Sequence, residues 1–448
     1  MPESMATAAV TAASAIALVV AIGAVARTAR RGEWTYAYLS LVLALMTFSF
    51  VNLIVTYTDT WISITDVFRN ITHDQPPWAH QILRGTLAIQ GVGALWLVVL
   101  WVRRRDAKVN VPAALLFLVS LMSIGSAFLH GDHPIRPFTV IYSLTLLACI
   151  FAPRGIGIHL GIAVTALIEA IASGFAVWLH HDFAVKDCAA GYKCGLLGFN
   201  LTGIMDNENA LAMSLVLAMP FVYMAFRGWE GTVLTIYVAG IVALSGSRTG
   251  LIAAGFTLLT LLIIRPDVRR PDAAPGRSLL LALVLLPAMA VSAIVPFLVD
   301  NPEAFTGRAA LWKLARQALS DPGTLLYGTG VFGWDHVREA GLIDASEVYS
   351  VHNQWLEVAY STGLAGLVLF VVAIVVLLWQ AHRTYFPVVA CVMVPFAVLS
   401  ITERPWPIDT DDFLTWAVPG ALLCYPLIRS RPEALQAPDL TREEVPVP

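Results

Sequence analysis

Ser350-Val-His352-Asn353-Gln-Trp355-Leu-Glu357-Val-Ala-Tyr360-Ser-Thr-Gly363 runs directly into an uncharged apolar stretch, Leu364 to Leu378. A stretch of that length without charge is a membrane-span candidate. His352 and Glu357 then fall on the first turns of a helix entering a bilayer, where ionisable groups are costly and mark function. The plainer reading is an interfacial anchor, because His352, Trp355 and Tyr360 also suit the headgroup belt. The rest of the chain has to weigh one against the other.

Outward from this stretch the same pattern repeats. Of the 448 residues, 58% are hydrophobic and only 13% charged, against roughly 25% charged in soluble domains. The net charge of −3 gives no bulk attraction to nucleic acid or anionic lipid. Apolar runs occupy 5–26, 35–57, 83–102, 111–129, 138–152, 156–179, 205–226, 231–247, 249–264, 279–299, 356–380, 385–402 and 411–428. The first is too long for a signal peptide, and Arg27, Arg30 and Arg31 follow rather than precede it, so it reads as a span. Inside a bilayer only helices or closed barrels satisfy their backbone, and runs this continuous are helices. The fold class expected is all-α: a polytopic transmembrane helical bundle of about 12–13 spans, with one large extracytoplasmic loop containing short helices. Residues 1–299 carry transmembrane helices 1–10, 300–355 the large loop, 356–430 helices 11–13, and 431–448 a cytoplasmic tail.

Lys and Arg concentrate in alternate connectors: Arg27/Arg30/Arg31, Arg103/Arg104/Arg105/Lys108, Arg154, Arg227, Arg265/Arg269/Arg270/Arg277, Arg383 and Arg429/Arg431. The positive-inside rule puts these in the cytoplasm and the N-terminus outside. The outward connectors are then Thr58–Ile82, His130–Pro137, His180–Ile204, the Ser247-Arg248 corner, Asp300–Trp355 and Glu403–Thr410. Cys188 and Cys194, in a polar outward loop, suit a short disulfide on an oxidising face. Zinc with His180 and His181 lacks a recognised spacing, and two free thiols are the other alternative.

Chemistry-bearing residues gather on that outward side. Ser245-Gly-Ser247-Arg248-Thr-Gly250 breaks an apolar stretch at a tight corner, and Arg248 reads either as a phosphate clamp or as a snorkelling anchor. Arg308 opens a segment with Leu311, Leu314, Ala315 and Ala318 at helical spacing, which Asp321-Pro322-Gly323 ends. The glycine-punctuated Tyr327 to Trp334 reads as a loop able to approach a ligand closely. Asp206-Asn207-Glu208-Asn209 heads the 205–226 span, with capping the plain explanation and substrate binding the functional one. Asp409-Thr-Asp411-Asp412 heads the last span, where capping is again plainer than a divalent cation.

In this order, Ser-Gly-Ser-Arg248-Thr-Gly, Gly-Arg308-x-x-Leu-Trp, Gly-x-Gly-x-x-Gly-Trp334 and His352-Asn353-x-x-Leu-Glu357-x5-Gly-Leu-x-Gly, the chain resembles the O-antigen ligase and O-antigen polymerase superfamily over about 200–380. The resemblance implies a GT-C-type glycosyltransferase of the bacterial cytoplasmic membrane, with its active site on the extracytoplasmic face. It implies transfer from a polyprenyl (undecaprenyl) diphosphate-linked oligosaccharide to a lipid, glycan or protein hydroxyl, with inversion and without metal or cofactor. Arg248 and Arg308 match the family's diphosphate-binding arginines and His352 its essential histidine. Glu357 is a further catalytic candidate, and Asn207, Asn209, Ser247 and Asn353 are substrate-binding candidates. The residue types fit on their own terms: guanidinium groups stabilise a leaving diphosphate, and histidine accepts a proton near neutral pH. A transporter or flippase of lipid-linked glycans is the competing reading, and it expects charged residues deep in several spans.

Overall fold

The computed structural model describes residues 3–29, 48–65, 71–103, 109–151, 158–188, 194–205, 207–226, 228–264, 275–341, 350–382 and 386–409. Most of the arginine-rich connectors, the first part of the 35–57 span, the 411–428 span and the 431–448 tail lie outside them, as do Asp206, Asp411, Asp412 and Cys424. The described helices are α1 (Glu3–Ala29), α2 (Phe48–Tyr57), α3 (Pro77–Val102), α4 (Val111–Leu129), α5 (Pro137–Ile150), α6 (Ile158–Leu179), α7 (His181–Ala184) and α8 (Glu208–Ala225). After them come α9 (Trp229–Leu244), α10 (Arg248–Ile264), α11 (Pro275–Leu298), α12 (Arg308–Ala318), α13 (Pro322–Tyr327), α14 (Gly333–Glu339), α15 (Gln354–His382) and α16 (Phe386–Leu399). Strands β1 (Ile62–Thr65) and β2 (Ile71–Asp74) form one antiparallel hairpin, and β3 (Val185–Asp187) and β4 (Phe199–Leu201) another.

The protein is an all-α polytopic bundle. Helices α1, α3, α4, α6, α8, α11 and α15 are long and apolar enough to cross a bilayer, while α5, α9, α10 and α16 are shorter apolar helices. Helix α8 lies at the centre, packed on α6, α9 and α10. Its Ala210, Ala212, Ser214 and Ala218 are buried, and small side chains let helix backbones approach closely where hydrophobicity cannot drive association. Peripheral helices instead expose Ile16, Val19, Trp96, Leu262 and Leu283. That apolar surface belongs against lipid tails. Glu169 on α6 is an acidic side chain within a span, and Ser214 of α8 donates a hydrogen bond to it.

Connectors that the charge alternation assigns to one side meet at one end of the bundle. Trp61 stacks on Phe183 with ring centroids 4.4 Å apart. The Thr249 hydroxyl lies 2.8 Å from that of Thr402, and His336 Nε2 lies 3.1 Å from Asp132 Oδ2. At the other end, Arg27 in the last turn of α1 has its Nη2 2.5 Å from Oε1 of Glu230 in the first turn of α9.

Two boundaries differ from the sequence expectation. Asp321-Pro-Gly starts a helix as well as ending one: Asp321 Oδ2 accepts the Thr324 N–H at 2.8 Å and so caps α13. Helix α15 begins at Gln354, because Asn353 Oδ1 accepts the N–H groups of Trp355 and Leu356 at 3.1 and 3.0 Å. His352 therefore stands before the helix, not on its first turn.

Candidate active site

Three separate stretches of chain build the site: the start of α12, the turn before α15 and the connector after α16. Phe305, Thr306 and Gly307 have φ of 54°, 61° and 85°, a left-handed run that turns the chain into α12. Arg308 is the first residue of that helix. Its Nη2 donates to Glu403 Oε1 at 2.5 Å. The other oxygen of the same carboxylate, Oε2, lies 3.1 Å from His352 Nδ1. Glu403 thus bridges the arginine and the histidine. Its side chain is 9% exposed, that of Arg308 16% and that of His352 29%. The carboxylate is enclosed while the imidazole keeps an open side.

His352 adopts φ 53°, a conformation uncommon outside glycine and suited to a residue held in place by its surroundings. Glu357 Oε2 accepts the Val351 N–H at 2.8 Å, and Ser350 Oγ accepts the His352 N–H at 3.3 Å. The other Glu357 oxygen faces Arg404 Nη1 at 3.6 Å. Glu357 therefore braces the histidine turn through its backbone. Asn353 is equally committed: its Nδ2 donates to the carbonyls of Ser292 at 2.9 Å, Ser400 at 2.8 Å and Ile401 at 3.2 Å. Gln354 and Trp406 exchange a reciprocal pair of bonds, both at 2.8 Å. These contacts fasten the 350–354 turn to the 400–406 connector and so carry Glu403 to His352.

Burial alone would raise the Glu403 carboxyl. The hydrogen bond from His352 and the charge and hydrogen bond of Arg308 outweigh it and hold the group below the usual carboxylate value. Glu403 is accordingly an anion at neutral pH.

Arg248 joins from the side. It is the first residue of α10, is exposed, and has no hydrogen-bond or ion partner among the described residues. Thr249 touches Thr402, which places this helix start beside Glu403. Ser247 caps the helix, its Oγ accepting the Gly250 N–H at 3.3 Å. Gly246, at φ 73°, permits the corner, and any side chain there would strike Asn200. Asn200 stands on β4, and a Cys188–Cys194 disulfide with Cα atoms 5.3 Å apart lies between β3 and that strand.

The remaining sequence candidates lie elsewhere or are occupied. Asn207 caps α8, accepting the Ala210 N–H at 2.8 Å, and Asn209 is half-buried on that helix's first turn. Asp409 is buried and accepts a hydrogen bond from Ser120 of α4. Sequence reasoning missed Glu403 and Arg404. Their signal was an acid–base pair in a connector otherwise poor in charge, on the side that gathers Arg248, Arg308 and His352.

A membrane-crossing helical bundle with two arginines and a carboxylate-held histidine at one end defines a class: a polytopic membrane protein with a charged cluster at one end of its bundle. Over residues 233–371 the chain matches the family model described as O-antigen ligase, and this match supports membership of the O-antigen ligase and polymerase superfamily. The matched stretch takes in Arg248, Arg308, His352 and Glu357, while Glu403 lies beyond it. This supports O-antigen ligase-type glycan transfer in the membrane. No curated protein matches the chain.

Proposed function

We propose that the protein transfers or polymerises a glycan from a polyprenyl diphosphate donor onto an acceptor hydroxyl at the outer face of the cytoplasmic membrane. The observation that carries this reading is the bridge Arg308–Glu403–His352 beside Arg248, which has no partner among the described residues. The acceptor oxygen attacks the anomeric carbon from the face opposite the diphosphate. The bond to the diphosphate oxygen breaks as the new one forms, so the configuration inverts. Arg248 and the free donors of Arg308 take up the negative charge growing on the leaving group. Glu403 accepts from His352 Nδ1–H, which leaves Nε2 unprotonated to receive the acceptor's proton. The large loop supplies Arg308 and His352, and the connector after α16 supplies the carboxylate that joins them.

The test supplies lipid-linked glycan to purified protein in nanodiscs and measures release of polyprenyl diphosphate. His352→Gln can hydrogen-bond but cannot take a proton at neutral pH, so turnover should fall by about 10² to 10⁴. Arg248→Ala should weaken donor use while expression is unchanged. Wild-type rates in both variants would return these residues to the role of interfacial anchors.

A further inference from the structure

We infer that α13, within the large loop, is seated in the bilayer leaflet, with Leu325, Leu326 and Tyr327 in contact with lipid. The inference stands apart from the proposed reaction.

Helix α13 buries none of its residues. Leu325, Leu326 and Tyr327 are 44%, 47% and 53% exposed, three large apolar side chains in succession. Their height is set by α15. That helix breaks at Gly363, where φ is 68° and ψ −174°. Leu326 and Tyr327 press their backbone into the break, and a side chain at Gly363 would clash with the Leu326 carbonyl. Main-chain bonds fix the contact, Thr329 N–H to Tyr360 O at 2.8 Å and Gly330 N–H to Ser361 O at 2.9 Å. Before the break, Gln354 to Thr362 are wholly buried; after it, Leu364, Val368, Val371, Val372 and Val375 are exposed. Lipid contact on α15 therefore begins at Leu364. From Leu364 to His382 the helix rises about 28 Å, close to the ~30 Å of a hydrocarbon core. Gly363 then lies at the boundary of that core.

A second span gives the same height. Helix α4 has 19 residues, again about 28 Å, and near its end Ser126 donates to the Gly328 carbonyl at 2.9 Å. Phe128 and Leu129, at the tip of α4, are exposed. Two helices thus put the end of α13 where headgroups meet hydrocarbon. Leu325, Leu326 and Tyr327, exposed around the end of α13, lie at the level where the exposed stretch of α15 starts at Leu364, and tyrosine is enriched at that level. The occupant is the leaflet itself.

A fluorophore on Leu326→Cys in proteoliposomes tests this, with Lys313→Cys on the exposed side of α12 as reference and Tyr327→Cys as the alternative if the first variant expresses poorly. The Leu326 label should lose fluorescence to a nitroxide placed high on the lipid acyl chain and be shielded from aqueous iodide, whereas the Lys313 label should respond to iodide. Equal quenching of both labels by iodide would overturn the inference. So would a Leu326 label that neither quencher reaches, because protein would then cover the helix.

Discussion

Glu403→Gln is the most searching perturbation of the site. A carboxylate presents two acceptor oxygens, whereas an amide presents one acceptor and one donor. Both partners of Glu403 are donors in the reactive arrangement, Arg308 Nη2 at 2.5 Å and His352 Nδ1 at 3.1 Å. One contact must therefore fail. Turning the amide nitrogen toward Arg308 sets two donors face to face and removes a charge-assisted bond worth about 1.5–3 kcal/mol. Turning it toward His352 is the milder course, because the imidazole can answer by accepting at Nδ1. The ring then carries its proton on Nε2 and has no free nitrogen with which to act as a base. The loss is that of general-base catalysis, about 10² to 10⁴ in kcat, or about 2.7–5.5 kcal/mol of barrier. Donor KM should not rise, because removing an anion beside Arg308 leaves more of the guanidinium charge for a diphosphate. Initial rates of polyprenyl diphosphate release over a range of donor concentrations separate the two constants. Retention of more than about a tenth of kcat, less than 1.4 kcal/mol, would refute the reasoning. So would a loss confined to KM.

Glu357 should behave differently from Glu403. Glu357→Gln keeps an oxygen for the Val351 N–H and should retain most activity, whereas Glu357→Ala orphans that group and should lower stability by about 1–3 kcal/mol, read from thermal melts in detergent. Asn353→Ala removes a helix cap worth about 1 kcal/mol and strips three carbonyls of a donor, so its melting temperature should drop further than that of Glu357→Ala. For pH, the sign follows from the depressed Glu403 carboxyl: its contribution to stability is complete above the ordinary value of 4.5 and is lost as pH falls through the lower folded value. The stability gap between the wild type and Glu403→Gln should hold steady from neutral pH down to that point and close only below it. A gap that instead widened as pH fell from 7 to 6, through about the ordinary histidine range, would show that the bridge depends on an imidazolium.

Most of the fold was legible because membrane spans announce themselves by length and absence of charge, and α15 is readable from Leu364 to Leu378 alone. The amphipathic helix at Arg308 was equally plain from its spacing. What hid was anything made by contact between distant segments. Glu403 reaches His352 only because Asn353 and Gln354 bond to Ser400 and Trp406, and no periodicity encodes that pairing. The displacement of His352 from the helix was hidden for a local reason. The residues from 350 to 357 contain no break signal stronger than Asn353, and its capping role depends on a side-chain rotamer.

The two arginines look equivalent in sequence and are unequal in the structure, and the difference bears on how the site stays ready. An arginine enclosed without an anion is costly, and breaking a buried pair leaves that burden on the survivor. Arg308, the more enclosed, is already paired, and Glu403 meets it through one nitrogen only. In the proposed reaction four of its five N–H donors therefore remain for the diphosphate. Arg248, exposed and unpaired among the described residues, needs no such placeholder, because water can solvate it until the donor comes. Before binding, the cluster of Arg248, Arg308 and Glu403 carries one excess positive charge, which attracts a diphosphate without leaving a strong charge unmatched. The same carboxylate that settles Arg308 also contacts His352, so in the proposed reaction the group that makes the enclosed arginine tolerable is the group that frees Nε2 to act as the base.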